Sequence, residues 1–150
     1  MIETERLAIR PPTVAERRRL LELWVDPTNE RVHGDPSLEQ IRAWVDAVPT
    51  VVLERDSGEL VGDCSLSFDQ GFEKWELSYG FRRDRWGRGY ATEAALACVR
   101  HGFETMRVEK IVADVDPANV ASARVLEKCG FVHVGEVDGK LFYSIVRAAG

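Results

Sequence analysis

The sequence predicts a mixed α/β fold in which a largely antiparallel sheet is flanked by helices. Three observations lead to this prediction: runs of strand length recur along the chain, amphipathic helical patterns fall between them, and one glycine-rich segment joins a strand to a long helix. The chain has 150 residues, of which 45% are hydrophobic and 30% are charged, as is usual for a globular domain with its own core. We therefore expect a single domain over residues 1–150.

The first half of the chain is predicted to form a strand, two helices and a hairpin. Thr13 followed by Glu16 is a capping-box pattern, in which each side chain pairs with a free backbone N–H group at a helix start. Alternating and apolar runs on either side of the helices, with a turn at 56–59, have the pattern of strands. The predicted elements are strands at 6–10, 50–55 and 60–68, and helices that begin near Thr13 and Ser37.

The second half of the chain is predicted to contain the only parallel strand pair. The strands at 75–82 and 110–115 are joined by a helix, which predicts a right-handed parallel crossover. The loop after the first of these strands then lies where open α/β sheets bind ligands. Gly80 inside that strand predicts a bulge or a place where another backbone comes close. The other predicted elements are helices at 91–106 and from Asn119 to Gly130, and strands at 131–137 and 141–146.

Residues 85–95, with the sequence RWGRGYATEAA, form the most informative segment of the chain. Two glycines lead into a run of good helix formers, so a flexible loop runs straight into a helix N-terminus. The first N–H groups of a helix lack intrahelical partners and lie at the positive end of its dipole. Positions without bulky side chains let a phosphate approach them closely. The segment therefore predicts a pyrophosphate cradle centred on Arg88 to Thr92.

Two common phosphate-binding motifs do not fit this loop. A Walker loop needs a glycine, four intervening residues and then Gly-Lys-Ser/Thr, and no part of the chain has this pattern. The dinucleotide fingerprint needs a third glycine or alanine three residues after the second glycine, where this chain has Thr92.

Composition narrows the classes of partner and the compartment. The net charge of −5 argues against a nucleic-acid binder and favours cationic or amine-bearing partners. No apolar run reaches the length of a membrane span, and we expect a cytoplasmic protein without membrane contact. The cysteines Cys64, Cys98 and Cys129 have no metal-ligand spacing, and buried free thiols are the favoured interpretation. The three histidines show no metal pattern either, so no metal is expected.

Two motifs carry a resemblance to a known family. Residues 86–94 resemble the acetyl-CoA signature of the GNAT superfamily of N-acetyltransferases, and residues 119–131 resemble its second signature, some 30 residues downstream. The details, including the opening at residues 5–10, are most similar to the branch with the ribosomal-protein N-terminal acetyltransferases. Trp86 stands where the superfamily usually has Gln or Arg, and this tryptophan could instead be a core residue. The resemblance implies a GNAT fold, a mostly antiparallel sheet with one splayed parallel pair.

The resemblance also implies which residues hold acetyl-CoA. Backbone N–H groups from Arg88 to Ala91, with the Thr92 hydroxyl, would take the pyrophosphate, and pantetheine would lie between two diverging parallel strands like a partial added strand. At least one of the four arginines at 82, 83, 85 and 88 could add a contact to phosphate. The implied cofactor-binding residues are Gly80, Phe81, Arg88, Gly89, Tyr90, Ala91, Thr92 and Asn119, although Asn119 could be an N-cap and nothing more.

Glu76 and Ser122 are the candidate catalytic residues. A neutral amine must attack the thioester carbonyl, and at pH 7 a lysine side chain is neutral in about one molecule in 2,500 and an α-amine in about one in seven. Glu76 matches a glutamate that is common at this place in the branch, and we expect it to act as general base through water. The alternatives are that Glu76 only binds the ammonium group or that it is a solvated strand residue. Ser122 would stabilise or protonate the leaving thiolate. Tyr79 and Tyr143 are weaker candidates, and half-buried packing is the favoured interpretation of both.

The resemblance therefore predicts transfer of acetyl from acetyl-CoA to a primary amine by direct attack in a ternary complex. The acceptor is left open between a peptide α-amine and a small-molecule amine, including antibiotics. It would enter beside residues 25–36 and 137–142, where Glu136 and Asp138 could attract a cation. The alternative is an acetyl-CoA-binding sensor or scaffold without turnover. A homodimer is one of the oligomeric states left open.

Overall fold

The computed structural model describes residues 1–29 and 36–149, and the order of elements predicted from the sequence is confirmed there. One two-residue strand at the start, β1, was not predicted. A short 3-10 turn at Arg83–Arg85 follows β5. The elements are β1 (Ile2–Glu3), β2 (Leu7–Arg10), α1 (Val14–Val25), α2 (Leu38–Ala47), β3 (Val51–Glu54), β4 (Leu60–Asp69), β5 (Lys74–Phe81), α3 (Tyr90–Glu104), β6 (Lys110–Val115), α4 (Val120–Lys128), β7 (Val132–Val137) and β8 (Lys140–Val146).

The strands form one sheet in the order β1-β2-β3-β4-β5-β6-β8-β7. Each neighbouring pair is antiparallel except β5 and β6, which are parallel and are connected through α3. The prediction of a mostly antiparallel sheet with one parallel pair is therefore confirmed. β8 lies between β6 and β7, so the final hairpin completes the sheet on the far side of the parallel pair.

The parallel pair separates soon after it begins. β5 and β6 are in register at Trp75 with Ile111 and at Glu76 with Val112, and the two strands then diverge. On its other side β5 stays paired with β4 along its full length, from Lys74 to Phe81. The divergence therefore leaves an opening inside the sheet, bordered by the last residues of β5 and of β6.

A close backbone approach occurs at Gly80, as one of the two interpretations of this glycine predicted. A Cβ atom placed on Gly62 of β4 would lie 2.1 Å from the Gly80 carbonyl oxygen. The register between β4 and β5 runs without a shift through this point, so the alternative of a bulge in this pairing is wrong.

The helix boundaries follow local signals. Thr13 and Glu16 form the predicted capping box of α1, and Ser37 forms one with Gln40 at the start of α2. Gly130 follows α4 with φ of 95°, a left-handed conformation that a glycine adopts without a Cβ clash. The predicted extension of α3 to residue 106 is wrong, because the helix ends at Glu104.

The helices cover both faces of the sheet. On one face, α3 and α4 pack over a core that includes Leu77, Ile111 and Leu126. On the other face, α1 and α2 pack over a smaller cluster in which Leu20 and Val45 meet Leu60 of β4. Within the described part of the chain, none of the helices has both the length and the apolarity that crossing a membrane requires.

Two of the cysteines that are far apart in the sequence meet in the core. The Sγ atoms of Cys64 on β4 and Cys98 on α3 lie 3.4 Å apart, and both residues are buried free thiols. Cys129, after α4, is also buried and free, and burial raises the pKa of its thiol to about 11. The interpretation of all three as buried thiols is confirmed.

Candidate active site

The glycine loop enters α3 through two left-handed residues. Gly87 has φ of 78° and Gly89 has φ of 80°, a region that other residues enter only at a cost in energy. Gly89 is also the N-cap of α3, and its carbonyl accepts the first intrahelical hydrogen bond, from the Glu93 N–H group. The loop therefore turns sharply into the helix start.

The turn between β1 and β2 holds the back of this loop. Arg6 donates from Nη1 to the Arg88 carbonyl oxygen at 2.8 Å, and from Nε to Glu93 Oε1 at 2.7 Å. The Thr4 hydroxyl also donates to Glu93, at 2.5 Å. The guanidinium group of Arg6 stacks over the Tyr90 ring, 4.6 Å from its centroid. These contacts fix the direction of the Arg88 carbonyl and the first turn of α3.

Glu54 of β3 holds the loop from a second side. Its Oε2 atom accepts from the Tyr90 hydroxyl at 2.6 Å and from Arg85 Nε at 3.2 Å. Hydrogen bonds from Tyr90 and Ser57, together with the charge of Arg85, lower the pKa of Glu54 to about 2. Glu54 is therefore ionised at neutral pH and joins β3 to both ends of the loop.

The backbone N–H groups on the front of the loop are available to an anion. Among residues 1–29 and 36–149, no acceptor is found for the N–H groups of Arg88 through Thr92. The Arg88 carbonyl oxygen, in contrast, already accepts a hydrogen bond from Arg6. A run of free donors at the positive end of a 15-residue helix fits a diphosphate group.

The four arginines near the loop differ in what they can reach. Arg85 is engaged by Glu54, Asp84 and Glu59, and Arg82 binds Asp84 at 2.8 Å. Arg83 lies over the Trp86 ring, and Arg88 is about half exposed, with Nη1 3.9 Å from Glu54. Arg83 and Arg88 are therefore the better placed of the four to meet a phosphate.

Trp86 is not a core residue. It is 52% exposed, and its indole N–H group donates to the Phe81 carbonyl oxygen at 2.9 Å. The alternative of a buried Trp86 is therefore wrong. Phe81 is one of the residues predicted to bind pantetheine through its backbone. The bond from Trp86 uses one lone pair of the Phe81 carbonyl oxygen, which leaves the second lone pair to accept a hydrogen bond from pantetheine.

Glu76 lies at the point where β5 and β6 separate, with its side chain 39% exposed. Desolvation raises its pKa and is the largest effect; the charge of Asp114 raises it further, and that of Lys74, at 3.9 Å, lowers it. Sequence reasoning missed Asp114. The sequence does hold a signal for Asp114. Val112 of β6 pairs with Glu76, and Asp114 lies two residues beyond Val112, on the same face of the sheet as Glu76.

Ser122 lies in the first turn of α4 and meets β5 across the opening. The Tyr79 hydroxyl is 2.8 Å from Ser122 Oγ and 3.1 Å from the Ser122 carbonyl oxygen. Asn119 is the N-cap of α4, and its Oδ1 accepts from the Ser122 N–H group at 3.1 Å. The capping role of Asn119 is confirmed, and its Nδ2 amide is a separate donor. The Tyr79–Ser122 contact was not predicted.

The two candidate catalytic residues belong to opposite faces of the sheet. Tyr79, which contacts Ser122, packs with the core under α3 and α4. Glu76 is three residues away on the same strand, so its side chain points to the other face. On that face Trp24 of α1 donates to Asp63, the residue paired with Gly80. A group in the opening between β5 and β6 could be approached from both faces.

The sequence also indicates polar residues elsewhere in the chain. Tyr143 is buried on β8, and its ring lies 5.4 Å from that of His133, which agrees with packing. His33 lies outside the described residues. Glu136 is exposed on β7, and Asp138 occupies the left-handed turn that follows. In the part of the chain that the structure covers, no group of three or more His, Cys, Asp or Glu side chains could hold a metal ion.

The described residues form a mostly antiparallel sheet with one splayed parallel pair and a glycine loop at a helix start, and comparison with known proteins gives the family. The acetyltransferase (GNAT) domain family matches residues 6–132. The chain therefore belongs to the GNAT acetyltransferases. A crystal structure of an acetyltransferase from Agrobacterium tumefaciens superposes with a TM-score of 0.86 at 26% identity, covering 97% of this chain and 94% of that one.

Two sequence relatives show how the similarity is distributed. "Uncharacterized protein YkkB" of Bacillus subtilis is 42% identical over 82 residues, which cover 53% of this chain; the chain spans about half of that relative's length, 48%. The [ribosomal protein uS5]-alanine N-acetyltransferase of Escherichia coli is 27% identical over 131 residues, covering 81% of this chain and 67% of the relative. The resemblance to the GNAT superfamily, with relatives that include a ribosomal-protein acetyltransferase, is confirmed.

Membership fixes the general chemistry. The chain is an acetyl-transferring enzyme of a family that uses acetyl-CoA as co-substrate and acts on amine-bearing substrates.

Proposed function

We propose that this chain, as one domain over residues 1–150, transfers the acetyl group of acetyl-CoA to a primary amine by direct attack. The observation that carries the proposal is the opening between β5 and β6, with Glu76 beside it on one face and Ser122 on the other. Direct attack needs a base on the amine side and a proton donor on the thiol side. Residues on opposite faces of one opening meet that need without a covalent enzyme intermediate.

The glycine loop would hold the diphosphate of acetyl-CoA. The free N–H groups from Arg88 to Thr92, with the Thr92 hydroxyl, would bind it, and Arg88 would add charge from its exposed side chain. The backbone at Gly80 and Phe81 and the Nδ2 group of Asn119 would orient pantetheine along the opening. The co-substrate supplies an activated acetyl group as a thioester.

Glu76 would accept the proton of the incoming amine, through water. Its raised pKa supports this role, because a carboxylate that holds a proton more tightly is a stronger base. Its neighbour Asp114 adds a second negative charge, so the same place also attracts the ammonium form before deprotonation. Binding of the amine and removal of its proton would therefore occur at one carboxylate.

A peptide α-amine is the acceptor that fits this base best. Deprotonating an α-amine at pH 7 costs about 1 kcal/mol, against about 4 to 5 kcal/mol for a lysine side chain. The E. coli relative is named as an alanine N-acetyltransferase of a ribosomal protein, which agrees with an α-amine acceptor. Small-molecule amines are the alternative within the enzyme class. We expect the enzyme to act in the cytoplasm, since its three cysteines are free thiols.

Thiol release from acetyl-CoA, measured in parallel with peptides, polyamines and aminoglycosides, tests the proposal. We expect release that depends on an amine and is faster with a peptide α-amine than with lysine side chains. Glu76→Gln should lower kcat by about 100-fold, the usual contribution of a general base. Glu104→Gln, which removes an exposed carboxylate from the end of α3, is the matched control and should keep full activity.

The alternative function is an acetyl-CoA sensor or scaffold without turnover. Such a module would bind coenzyme A through the glycine loop but release no thiol with any amine. It would also be insensitive to changes at Glu76 and Ser122. Binding of coenzyme A without thiol release across the whole panel would favour this alternative over the enzyme.

A further inference from the structure

Tyr79 and Ser122 form a hydroxyl pair that joins the two sides of the opening. They are 43 positions apart in the sequence, one on β5 beyond the section that pairs with β6 and the other in the first turn of α4. The two side-chain oxygens are 2.8 Å apart, and the phenol oxygen is also 3.1 Å from the Ser122 carbonyl oxygen. Tyr79 is partly buried against the α3 and α4 core, so its ring is held in place by packing.

The pair can exist in two hydrogen-bonded states. In the first, the phenol donates to the Ser122 carbonyl, and the Ser122 hydroxyl donates back to the phenol oxygen. In the second, the phenol donates to Ser122 Oγ, and the Ser122 proton is free to point elsewhere. Both states satisfy the distances, because Oγ and the carbonyl oxygen are each within reach of one phenol proton.

The second state solves a chemical difficulty with Ser122 acting alone. An alkyl hydroxyl is about as weak an acid as water, with a pKa of about 15.7, whereas a thiol has a pKa of about 8.5. Net proton transfer from such a hydroxyl to a thiolate is therefore unfavourable by about 10⁷-fold. A phenol, with an ordinary pKa of about 10, reduces that disadvantage to about 30-fold.

We propose that Tyr79 supplies, through Ser122, the proton taken up by the leaving thiolate. As the amine nitrogen bonds to the acetyl carbon, the carbon–sulfur bond breaks and its electron pair stays on sulfur. Ser122 Oγ gives its proton to sulfur and takes the phenol proton of Tyr79 at the same time. Tyr79 is left as a phenolate and regains a proton from water after the product leaves. Tyr79 is thus a positioning and proton-supplying residue that acts through Ser122, and its role rests on the proposed function.

Tyr79→Phe tests the relay because it removes the hydroxyl and keeps the ring in the core. We expect kcat to fall at least tenfold, with the KM for acetyl-CoA and the Kd for coenzyme A unchanged within twofold. Tyr143→Phe removes a hydroxyl from a buried tyrosine on β8 and is the matched control, with kcat within twofold of the wild type. A loss of coenzyme A binding in Tyr79→Phe as large as its loss of kcat would assign Tyr79 a structural role only and overturn the relay.

A double-mutant cycle with Ser122→Ala separates action through Ser122 from independent action. If the phenol proton travels through Ser122, adding Tyr79→Phe to Ser122→Ala should change kcat by less than twofold. A full tenfold loss in that background, or an unchanged kcat in Tyr79→Phe alone, would overturn the relay while leaving the proposed function in place. Absence of thiol release from the wild-type chain with every amine would instead overturn the proposed function, and the relay with it.

Discussion

Glu76 lies among charges of opposite sign, and each of them moves its pKa in a known direction. Asp114 is on the neighbouring strand and raises the pKa of Glu76, whereas Lys74 is two residues away on the same strand and lowers it. The competition of these charges matters because a general base works only in its ionised form. Under the proposed mechanism, the acid side of the pH–rate profile reports this local balance.

Changing the two neighbours should shift the acid side of the profile in opposite directions. Asp114→Asn removes a negative charge, lowers the pKa of Glu76 and should move the loss of activity to lower pH. Lys74→Gln removes a positive charge, raises the pKa of Glu76 and should move the loss of activity to higher pH. The measurement is kcat/KM against pH for both variants and the wild type. Shifts in the same direction, or none, would show that Glu76 does not control the profile.

At the scale of elements, the glycine loop is held by the turn between β1 and β2 and by strand β3. Arg6, in the turn before β2, fixes the Arg88 carbonyl, and Glu54 of β3 fixes Tyr90 at the start of α3. Gly89 allows the loop to turn because it adopts a left-handed conformation, and a Cβ atom there would lie 3.5 Å from Arg6 Nη2. The direction of the free N–H groups therefore depends on a backbone angle that other residues rarely adopt.

Gly89→Ala should weaken coenzyme A binding by at least tenfold. The substitution strains the left-handed backbone by about 1 kcal/mol and disturbs the N–H groups that we propose bind the diphosphate. Gly139→Ala is the matched control, since Gly139 has φ of 78°, has no atom within 4 Å of an added Cβ and lies in the turn between β7 and β8. Calorimetric titration with coenzyme A should give a Kd for Gly139→Ala within twofold of the wild type. Equal effects in the two variants would mean that strain alone weakens binding.

Local signals in the sequence were enough to predict all the α-helices and every strand except the two-residue β1, but not the contacts between them. The capping box at Thr13 and the turn glycine at Gly130 act over three or four residues, so their effect can be recognised in the sequence alone. The Tyr79–Ser122 pair joins residues 43 positions apart, and the Tyr90–Glu54 pair joins residues 36 apart. Such contacts depend on how the strands are ordered and where they diverge, which no short pattern specifies.

At the scale of the whole molecule, Glu54 both holds the glycine loop and contributes to the free energy of unfolding. Its contacts join β3 to the 3-10 turn and to α3, which belong to different parts of the chain. Because the folded-state pKa of Glu54, about 2, is below its ordinary value, its ionised form favours the folded state. This contribution is present above pH 4.5, the ordinary value, and is lost as the pH falls towards 2.

Glu54→Gln should therefore destabilise the protein at neutral pH and much less in acid. The shift in pKa sets an upper limit of about 3 kcal/mol on the difference in unfolding free energy at pH 7. Urea unfolding at several values between pH 7 and pH 3 should show the gap between wild type and variant closing as the pH falls. Glu104→Gln provides the comparison with an exposed carboxylate. A gap that stays constant with pH would contradict the low pKa.

All three sulfhydryl groups of the chain lie inside the core, and two of them touch each other. A colorimetric reagent that reacts with sulfhydryl groups should therefore find little to react with on the native enzyme. Its signal would come from the coenzyme A set free, so each turnover can be counted continuously against a low background. The same reagent in denaturant should find three groups per chain, which gives the protein concentration in the same cuvette.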